Sequence, residues 1–413
     1  MANLKGLIRI VAPLAALCAV LAGCGVGGTT TTAASTTPTA SPTATPIPCA
    51  THATTTGVVW SQASDKQIHG SLAGAAPATL SAFAYPLTPA ASGYTDFGPT
   101  QISLAPDGKH TAVLQTQIIP NSDAPPQFIL FSVDTTTHAV TRIANVGTRA
   151  DLAGWADTKT LLYTQSPFWP SHVATENLHF YDIAAHTDST IAGVKGVAKA
   201  EVRCSTLYWS EYIPASGIGA EKLHRYNLTT HVEIGAPIDL GKAFRLPSEI
   251  AGPDSVTGGG DWEVSVDNTT LIWQRLDTVT VPSSGDVNIG ASTYQKAAAD
   301  GSGAVAILAG APADAYTRIA YLSLAPATGF LAVSTGGLLL TYNPAVVGSM
   351  RSYTPNSTFS VAPVWLPDGN GFLADIYSLH STGPVSDLYQ YSVSGGLTGT
   401  LAHANASSAD TLP

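Results

Sequence analysis

The chain has 413 residues, of which only 11% are charged, whereas glycine (38) and proline (28) are abundant. This composition argues against long helices, coiled coils and charge-driven disorder, and it favours strands joined by turns. With 28 acidic and 18 basic residues the formal net charge is -10, which argues against a nucleic-acid partner because phosphate binding needs a Lys/Arg surface.

The N-terminus has the features of a secretory signal. Two basic residues precede an uncharged, mostly apolar run over residues 10–22, and the motif LAGC (21–24) resembles the lipobox read by bacterial lipoprotein signal peptidase. The run would span about 20 Å as a helix, short of the roughly 30 Å hydrocarbon core, so a permanent transmembrane helix is the weaker interpretation. The resemblance implies that the signal peptide covers 1–23, that Cys24 is acylated, and that the protein is extracytoplasmic and anchored to a bacterial membrane.

Residues 24–56 are predicted to be the lipidated cysteine and a tether. The stretch 25–56 contains no Asp, Glu, Lys or Arg, and 29–48 is almost wholly Thr, Ala, Ser and Pro. Such a tract cannot build a core, and in polyproline II geometry it would reach at most about 100 Å from the membrane.

From residue 57 onward a hairpin pattern recurs, in which an apolar strand enters a Pro-Asp-Gly-like turn and a second apolar strand leaves it. The clearest copies are ISLAPDGKHTAVL (102–114) and VWLPDGNGFLAD (364–375). The spacing between copies is typical of propeller blades once insertions are allowed. A large apolar residue precedes the turn in each copy, at Trp60, Leu104, Trp155, Val202, Val264, Leu324 and Trp365.

A second, aromatic-rich hairpin follows each first one, as in ILFSVDTTTHAVTRI (129–143) and LYQYSVSGGLTGTLA (388–402). Two hairpins per period make four antiparallel strands, and neither hairpin is stable unless neighbouring sheets stack. The predicted fold is therefore an all-β propeller of four-stranded antiparallel blades over 57–403, followed by a flexible tail over 404–413. Seven blades are preferred; the alternative is six, with 57–97 as an extra strand or cap.

The pairing of a W-S-P-D-G-like hairpin with an L-Y-x-Y-D-like hairpin resembles the TolB-like, or WD40-like, propeller repeats. The resemblance extends over about 57–403. It is specific for the fold and weak for function, because this fold carries many activities. It implies a non-enzymatic binding module for a protein, peptide or glycan of the cell envelope.

The turn residues explain the most obvious metal-like patterns. His138, His186 and His231 occupy one turn position, each four residues after Asp or Asn, where positive φ explains a histidine without a metal. The Asp-Gly pairs at 107, 300 and 368 could be calcium ligands, but they are better explained as hairpin turns in which glycine supplies a positive φ. With no H-E-x-x-H and no G-x-S-x-G motif, we expect neither a metal nor a cofactor, nor a serine hydrolase of the prolyl oligopeptidase type.

Two of the four cysteines belong to the signal and lipidation segment, and two lie beyond it. Cys18 leaves with the signal and Cys24 carries lipid, which leaves Cys49 and Cys204. In an extracytoplasmic compartment these two either form a disulfide that pins the tether to the propeller or remain unpaired buried thiols.

The longest segments between predicted strands fall at one end of the propeller, where binding residues tend to lie on a rigid scaffold. Trp169 is the only tryptophan predicted in a loop, since the other six lie in or beside strands. We predict that a binding site forms at this end, although tolerated insertions would give the same pattern. The predicted binding residues are Phe168, Trp169, His172, Tyr212, Phe244, Arg245 and Glu249.

The alternative function is a propeller enzyme, such as a lyase, lactonase or glycoside hydrolase acting on extracellular carbohydrate or a small molecule. Its acid and base would come from carboxylates such as Glu176, Glu211, Glu249 or Asp254. Carboxylates about 5 to 10 Å apart in a pocket, one with a raised pKa, would favour it.

Overall fold

Every regular element that the computed structural model describes is a β-strand. Over the same residues, no helix has the length and apolar character needed to cross a lipid bilayer. The structure describes residues 56–412 except 74–76, 121–126, 146–148, 167–176, 192–193, 195, 214–217, 245–258, 281–287, 311–312, 315–320, 326–328, 336–337, 344–345, 347–348, 354–358, 361–362, 367, 381–382 and 404–405.

The strands form seven antiparallel sheets, which we call blades 1 to 7. Blade 1 contains β4 (Thr95–Leu104), β5 (His110–Ile118), β6 (Gln127–Asp134) and β7 (Val140–Asn145). Blade 2 contains β8 (Arg149–Trp155), β9 (Thr160–Ser166), β10 (Asn177–Asp182) and β11 (Thr187–Thr190). Blade 3 contains β12 (Val197–Arg203), β13 (Thr206–Ile213), β14 (Ile218–Asn227), β15 (Val232–Glu233) and β16 (Ile238–Phe244).

The remaining blades follow the same antiparallel order. Blade 4 contains β17 (Trp262–Val264), β18 (Thr270–Thr280), β19 (Asn288–Ala298), β20 (Val305–Gly310) and β21 (Ala313–Asp314). Blade 5 contains β22 (Tyr321–Leu324), β23 (Leu331–Thr335), β24 (Leu338–Tyr342) and β25 (Arg351–Tyr353). Blade 6 contains β26 (Phe359–Ser360), β27 (Val364–Trp365), β28 (Gly371–His380), β29 (Gly383–Ser392) and β30 (Thr400–His403). Blade 7 contains β1 (Thr56–Gln62), β2 (Gln67–Ala73), β3 (Pro77–Ala84) and β31 (Ala406–Leu412).

Each blade has four strand positions. In blades 3, 4 and 6, one of these positions is occupied by two short strands that pair with the same neighbouring strand. Both β15 and β16 pair with β14, both β20 and β21 pair with β19, and both β26 and β27 pair with β28. First strands of successive blades contact one another, for example β4 with β8 and β8 with β12, so they form the inner row of the ring. The prediction of a seven-bladed propeller is confirmed.

The core lies between blades, as the repeat predicts. Blades 1 and 2, for example, are joined by one cluster that includes the fully buried Leu130 and Leu161. Burying each such side chain contributes about 1.5–3 kcal/mol. Trp155 and Trp365 play equivalent roles in blades 2 and 6, because each buries its ring and donates its indole N–H to a carbonyl on the first strand of the preceding blade.

The short turns repeat in detail. The backbone N–H of Thr135, just after β6, donates to the carbonyl of Lys109 in the β4–β5 turn, and equivalent bonds occur in blades 2, 3, 4 and 6. The side chain of Asp134 accepts the N–H groups of Thr136 and Thr137, and Asp182 and Asn227 do the same in their turns. The predicted turn histidines have positive φ, which confirms the backbone explanation: His138 (φ 59), His186 (φ 53) and His231 (φ 58).

Blade 7 corrects the predicted chain end. Residues 406–412 form β31, which pairs antiparallel with β1, instead of part of the flexible tail expected over 404–413. β31 contacts β4 on one side and β27, β28 and β29 on the other, so it completes the ring. The aromatic-rich hairpin pattern also fits residues 81–97 faintly, but no hairpin forms there, because β3 ends at Ala84 and β4, which belongs to blade 1, begins at Thr95.

The two ends of blades 1 to 6 differ in the lengths of their connections. At one end, which we call the turn end, turns join the first strand of each blade to the second and the third to the fourth. These connections have two to eight residues. At the opposite end, which we call the long-connection end, β9 and β10 are separated by 167–176 and β16 and β17 by 245–261. The sequence of 377–386 (YSLHSTGPVS) suggests a further long connection at this end, but most of it is strand, because only 381–382 separate β28 from β29.

Candidate functional site

The predicted binding residues belong to connections of three neighbouring blades at the long-connection end. Tyr212 lies on β13, half-buried, opposite Glu221 in the strand register. Phe244 is the last residue of β16. The other predicted residues, together with the Phe244 side chain, lie outside the described part of the chain: Phe168, Trp169, His172, Arg245 and Glu249.

Of the carboxylates proposed for catalysis, Glu211 is the one that lies in the described part of the chain. Glu211, on β13, lies 3.0 Å from Nε2 of His224, whose Nδ1 lies 2.6 Å from Glu233. The His224 ring stacks on Trp209 with the ring centroids 4.9 Å apart, so this pair lies on the blade surface as a structural contact. Glu176, Glu249 and Asp254 are outside the described residues.

A charged cluster that the sequence analysis did not predict joins blades 3 and 4. We call it the inner-strand cluster: Lys199, Glu201 and Arg203 on β12, with Asp261 and Glu263 at β17. The ammonium of Lys199 lies 2.7 Å from Glu201, 2.9 Å from Asp261 and 3.7 Å from Glu263. It also contacts the Trp262 carbonyl and lies 4.9 Å from the centroid of that indole ring. Arg203 lies 2.7 Å from Glu263 and 3.2 Å from Glu201.

The two glutamates of the inner-strand cluster have pKa values that are shifted in opposite directions. Burial, followed by the charge of Glu201, raises the pKa of Glu263 to about 8. Burial works against charge on Glu201 as well, but Lys199 and Arg203 outweigh it and lower the pKa of Glu201. Burial and the two cations therefore favour a proton on Glu263 and the charged form of Glu201.

Glu221 on β14 is a second buried acid beside this cluster. Its side chain is only 3% exposed, and burial raises its pKa to about 8, with Asp261 adding to the shift. The main chain at Gly259 packs directly on the Glu221 carboxyl and on the Tyr212 ring, so any side chain at position 259 would overlap them. This contact explains the glycine where the chain enters β17.

These groups connect the inner strands of blades 3, 4 and 5. Asp261 contacts Lys199 of blade 3 and accepts the Leu322 N–H of blade 5 at 2.7 Å, so one carboxylate links three blades. The Glu221 carboxyl is covered by Gly259 and Tyr212. The cluster therefore links neighbouring blades through ion pairs and hydrogen bonds. The raised pKa values of Glu221 and Glu263 follow from their burial.

One sequence signal could have revealed the cluster. Lys199, Glu201 and Arg203 alternate with the buried Ala200 and Val202, so all three charges share one face of β12. Charges are rare in this chain, and three on one face of a predicted inner strand require partners from the neighbouring strand. The identity of those partners depends on how blade 4 is placed beside blade 3.

A pocket of about 340 Å³ opens between blades 3 and 4 at the turn end. Arg225, near the end of β14, is the cation in its wall, and Asp300, in the β19–β20 turn, is the anion. The hydroxyl of Tyr208 donates to Asn268 Oδ1 at 2.6 Å, and Asn268 Nδ2 donates to Thr206 Oγ1 at 3.3 Å. These neutral groups bind one another and leave Arg225 facing the pocket.

Comparison with known proteins gives likeness of fold only. No protein-family profile matches the sequence, and no curated protein matches it. TolB from Acinetobacter baumannii is similar over 87% of this chain and 67% of its own, with 12% identity and a TM-score of 0.39. The β-propeller domain of Cps50 (Swd1) from Myceliophteria thermophila is similar over 75% of this chain and 88% of its own, with 11% identity and a TM-score of 0.43. An oligogalacturonate lyase in complex with manganese is similar over 87% and 98%, with 14% identity and a TM-score of 0.37.

Proposed function

We propose that this chain is a lipid-anchored, extracytoplasmic binding protein whose propeller holds a protein, peptide or glycan of the cell envelope without chemical change. The observation that carries the proposal is the difference between the two ends of the ring. Connections at the turn end have at most eight residues, whereas 245–261 at the long-connection end has 17. Long segments on a rigid scaffold are where binding residues concentrate.

The anchor is supported by the lipobox-like LAGC motif and the uncharged tether behind it. If Cys24 is the acylated residue, Cys24→Ser abolishes incorporation of a fatty-acid analogue and leaves an unprocessed or mislocalised precursor. Metabolic labelling of whole cells measures this directly. Equal labelling of the variant and the parent would rule out the anchor.

The proposed binding surface combines connections from adjacent blades. Phe168, Trp169 and His172 belong to the β9–β10 connection of blade 2, and Tyr212 is the last residue but one of β13 in blade 3. Arg245 and Glu249 follow Phe244 in the connection that leads to blade 4. Because these segments follow one another around one end of the ring, their aromatic and arginine side chains can form a single contact patch.

Trp169 is the test residue for that surface. We expect Trp169→Ala to weaken binding to the partner by on the order of 2 kcal/mol with little change in stability, because an exposed indole contributes large contact area. Purified mature protein is used to capture a partner from envelope extracts, and affinity is then measured by calorimetry.

Trp365→Ala is the control for Trp169→Ala. Trp365 is 2% exposed and donates to Ser323, so its truncation should cost about 3 to 5 kcal/mol of stability. If Trp169→Ala lowers the melting temperature as much as Trp365→Ala does, Trp169 is a core residue and the proposed surface loses its main support.

A disulfide would orient the propeller on its tether. Cys204, in the β12–β13 turn, is disulfide-bonded, and the other three cysteines of the chain lie outside the described residues. We propose Cys49 as its partner, because Cys18 and Cys24 are committed to the signal and the lipid. The bond would hold the tether at the turn end, so the long-connection end would point away from the membrane. Peptide mapping without reduction should find Cys49 joined to Cys204, and a different partner would remove this orientation.

The second candidate is an enzyme, favoured by the carboxylates that two long connections at the long-connection end contain: Glu176 in 167–176, and Glu249 and Asp254 in 245–261. A pair of them could act as acid and base. Turnover assays run on the same purified protein separate the two functions. Saturable turnover that Glu249→Gln abolishes, with affinity for the substrate retained, would favour the enzyme.

A further inference from the structure

The pocket at the turn end contains a cation that makes no close ion pair. Within the described part of the chain no carboxylate lies within 4 Å of Arg225, and its Nε is buried without a hydrogen-bond partner. Asp300, in the same pocket, acts on Arg225 only through its charge, without direct contact. The guanidinium lies against Gly235, whose positive φ (65°) and missing side chain leave room for it. A partly buried guanidinium without a hydrogen-bond acceptor is costly unless a ligand supplies one.

The rest of the wall restricts what that ligand can be. Tyr208 donates to Asn268 and Asn268 donates to Thr206, so the Tyr208 hydroxyl hydrogen and one amide hydrogen of Asn268 are already used. Asp300 is exposed, and the hydroxyl and the N–H of Ser302, followed by the charge of Arg225, lower its pKa, so it remains a carboxylate and an acceptor. The pocket therefore offers a donor fork on one side and a charged acceptor on the other.

We propose that this pocket binds a small carboxylate that also carries a hydrogen-bond donor, with Arg225 holding the carboxylate and Asp300 accepting from the donor. Arginine binds carboxylates through two parallel N–H···O bonds, which gives both affinity and orientation. A volume of about 340 Å³ is at the lower end of the range for small-molecule sites, which fits a single sugar acid or amino acid. The site lies at the opposite end from the proposed binding surface and does not depend on it.

The test uses the full chain with three probes: glucuronate, alanine and glucose. We expect glucuronate or alanine to bind, measured by saturation-transfer NMR and calorimetry, and glucose to bind at least tenfold more weakly because it lacks the carboxylate. Glucuronate and alanine distinguish a sugar acid from an amino acid as the source of the carboxylate.

Two variants assign the binding to this pocket. Arg225→Gln should weaken carboxylate binding by about tenfold or more, whereas Arg142→Gln, at an exposed arginine of blade 1, should leave it unchanged. Asp300→Asn keeps the turn acceptor and removes the negative charge, so glucuronate binding should tighten while alanine, with its ammonium group, should bind more weakly. If Arg225→Gln does not fold, the opposite responses to Asp300→Asn decide the matter.

Three results would overturn the proposal. The first is that neither carboxylate binds the parent with a Kd tighter than about 10 mM. The second is that a folded Arg225→Gln protein binds as the parent does. The third is that Asp300→Asn leaves the affinities for both glucuronate and alanine unchanged.

Discussion

Glu221 and Glu263 connect the protonation of single residues to the stability of the ring. Burial raises the pKa of each to about 8, well above the value of 4.5 for a solvated glutamate. The folded state therefore binds more protons than the unfolded state between about pH 4.5 and pH 8, so stability is greatest below this window and falls as pH rises through it. Above pH 8 both acids are charged in the folded state and the inner-strand cluster carries excess negative charge.

Glu221→Gln is the test of this linkage. Because glutamine resembles the protonated acid, the variant should lose less stability than the parent between pH 5 and pH 8, by on the order of 2 kcal/mol. Denaturant unfolding at several pH values measures the difference. Lys242→Gln is the control, since Lys242 is exposed on β16 of the same blade and does not change charge between pH 5 and pH 8, so this variant should reproduce the pH profile of the parent. Identical pH profiles for Glu221→Gln and the parent would mean that Glu221 is ionised in the folded protein.

At the scale of single elements, turns could be predicted from sequence more securely than contacts between strands. His138, His186 and His231 were predicted as turn residues because one local geometry, positive φ after an Asx residue, explains them. The strand β31 was missed because its sequence, ASSADTL, has weak strand propensity, and its pairing with β1 overrides that propensity.

The candidate sites were missed for a related reason. Lys199, Glu201 and Arg203 are visible as charges on one strand, but their partners Asp261 and Glu263 are about sixty residues away and meet them only when blade 4 packs on blade 3. The pocket at Arg225 likewise needs turns from two blades. Local sequence patterns define turns and strand faces, whereas these sites depend on the register between blades.

At the scale of the whole molecule, the ring is completed by pairing of the two ends of the described chain. β31 pairs with β1 over most of its length, with one irregularity between Val59 and Ser61. It also lies in the inner row between β27 and β4. Without it, blade 7 would lose one of its four strands, the edge of β1 would be left unpaired, and blades 6 and 1 would lose a packing neighbour.

We therefore expect removal of residues 406–413 from the full chain to lower the melting temperature by roughly 5–10 °C, because backbone pairing and packing on two neighbouring blades are lost together. Calorimetry measures the shift, and the transition of the shortened chain should also broaden as the ring loses its cooperativity. The matched control is a chain that lacks only residue 413, which lies beyond β31 and should unfold as the parent does. If both shortened chains melt at the temperature of the parent, β31 does not close the ring, and the chain end is the flexible tail that its composition suggests.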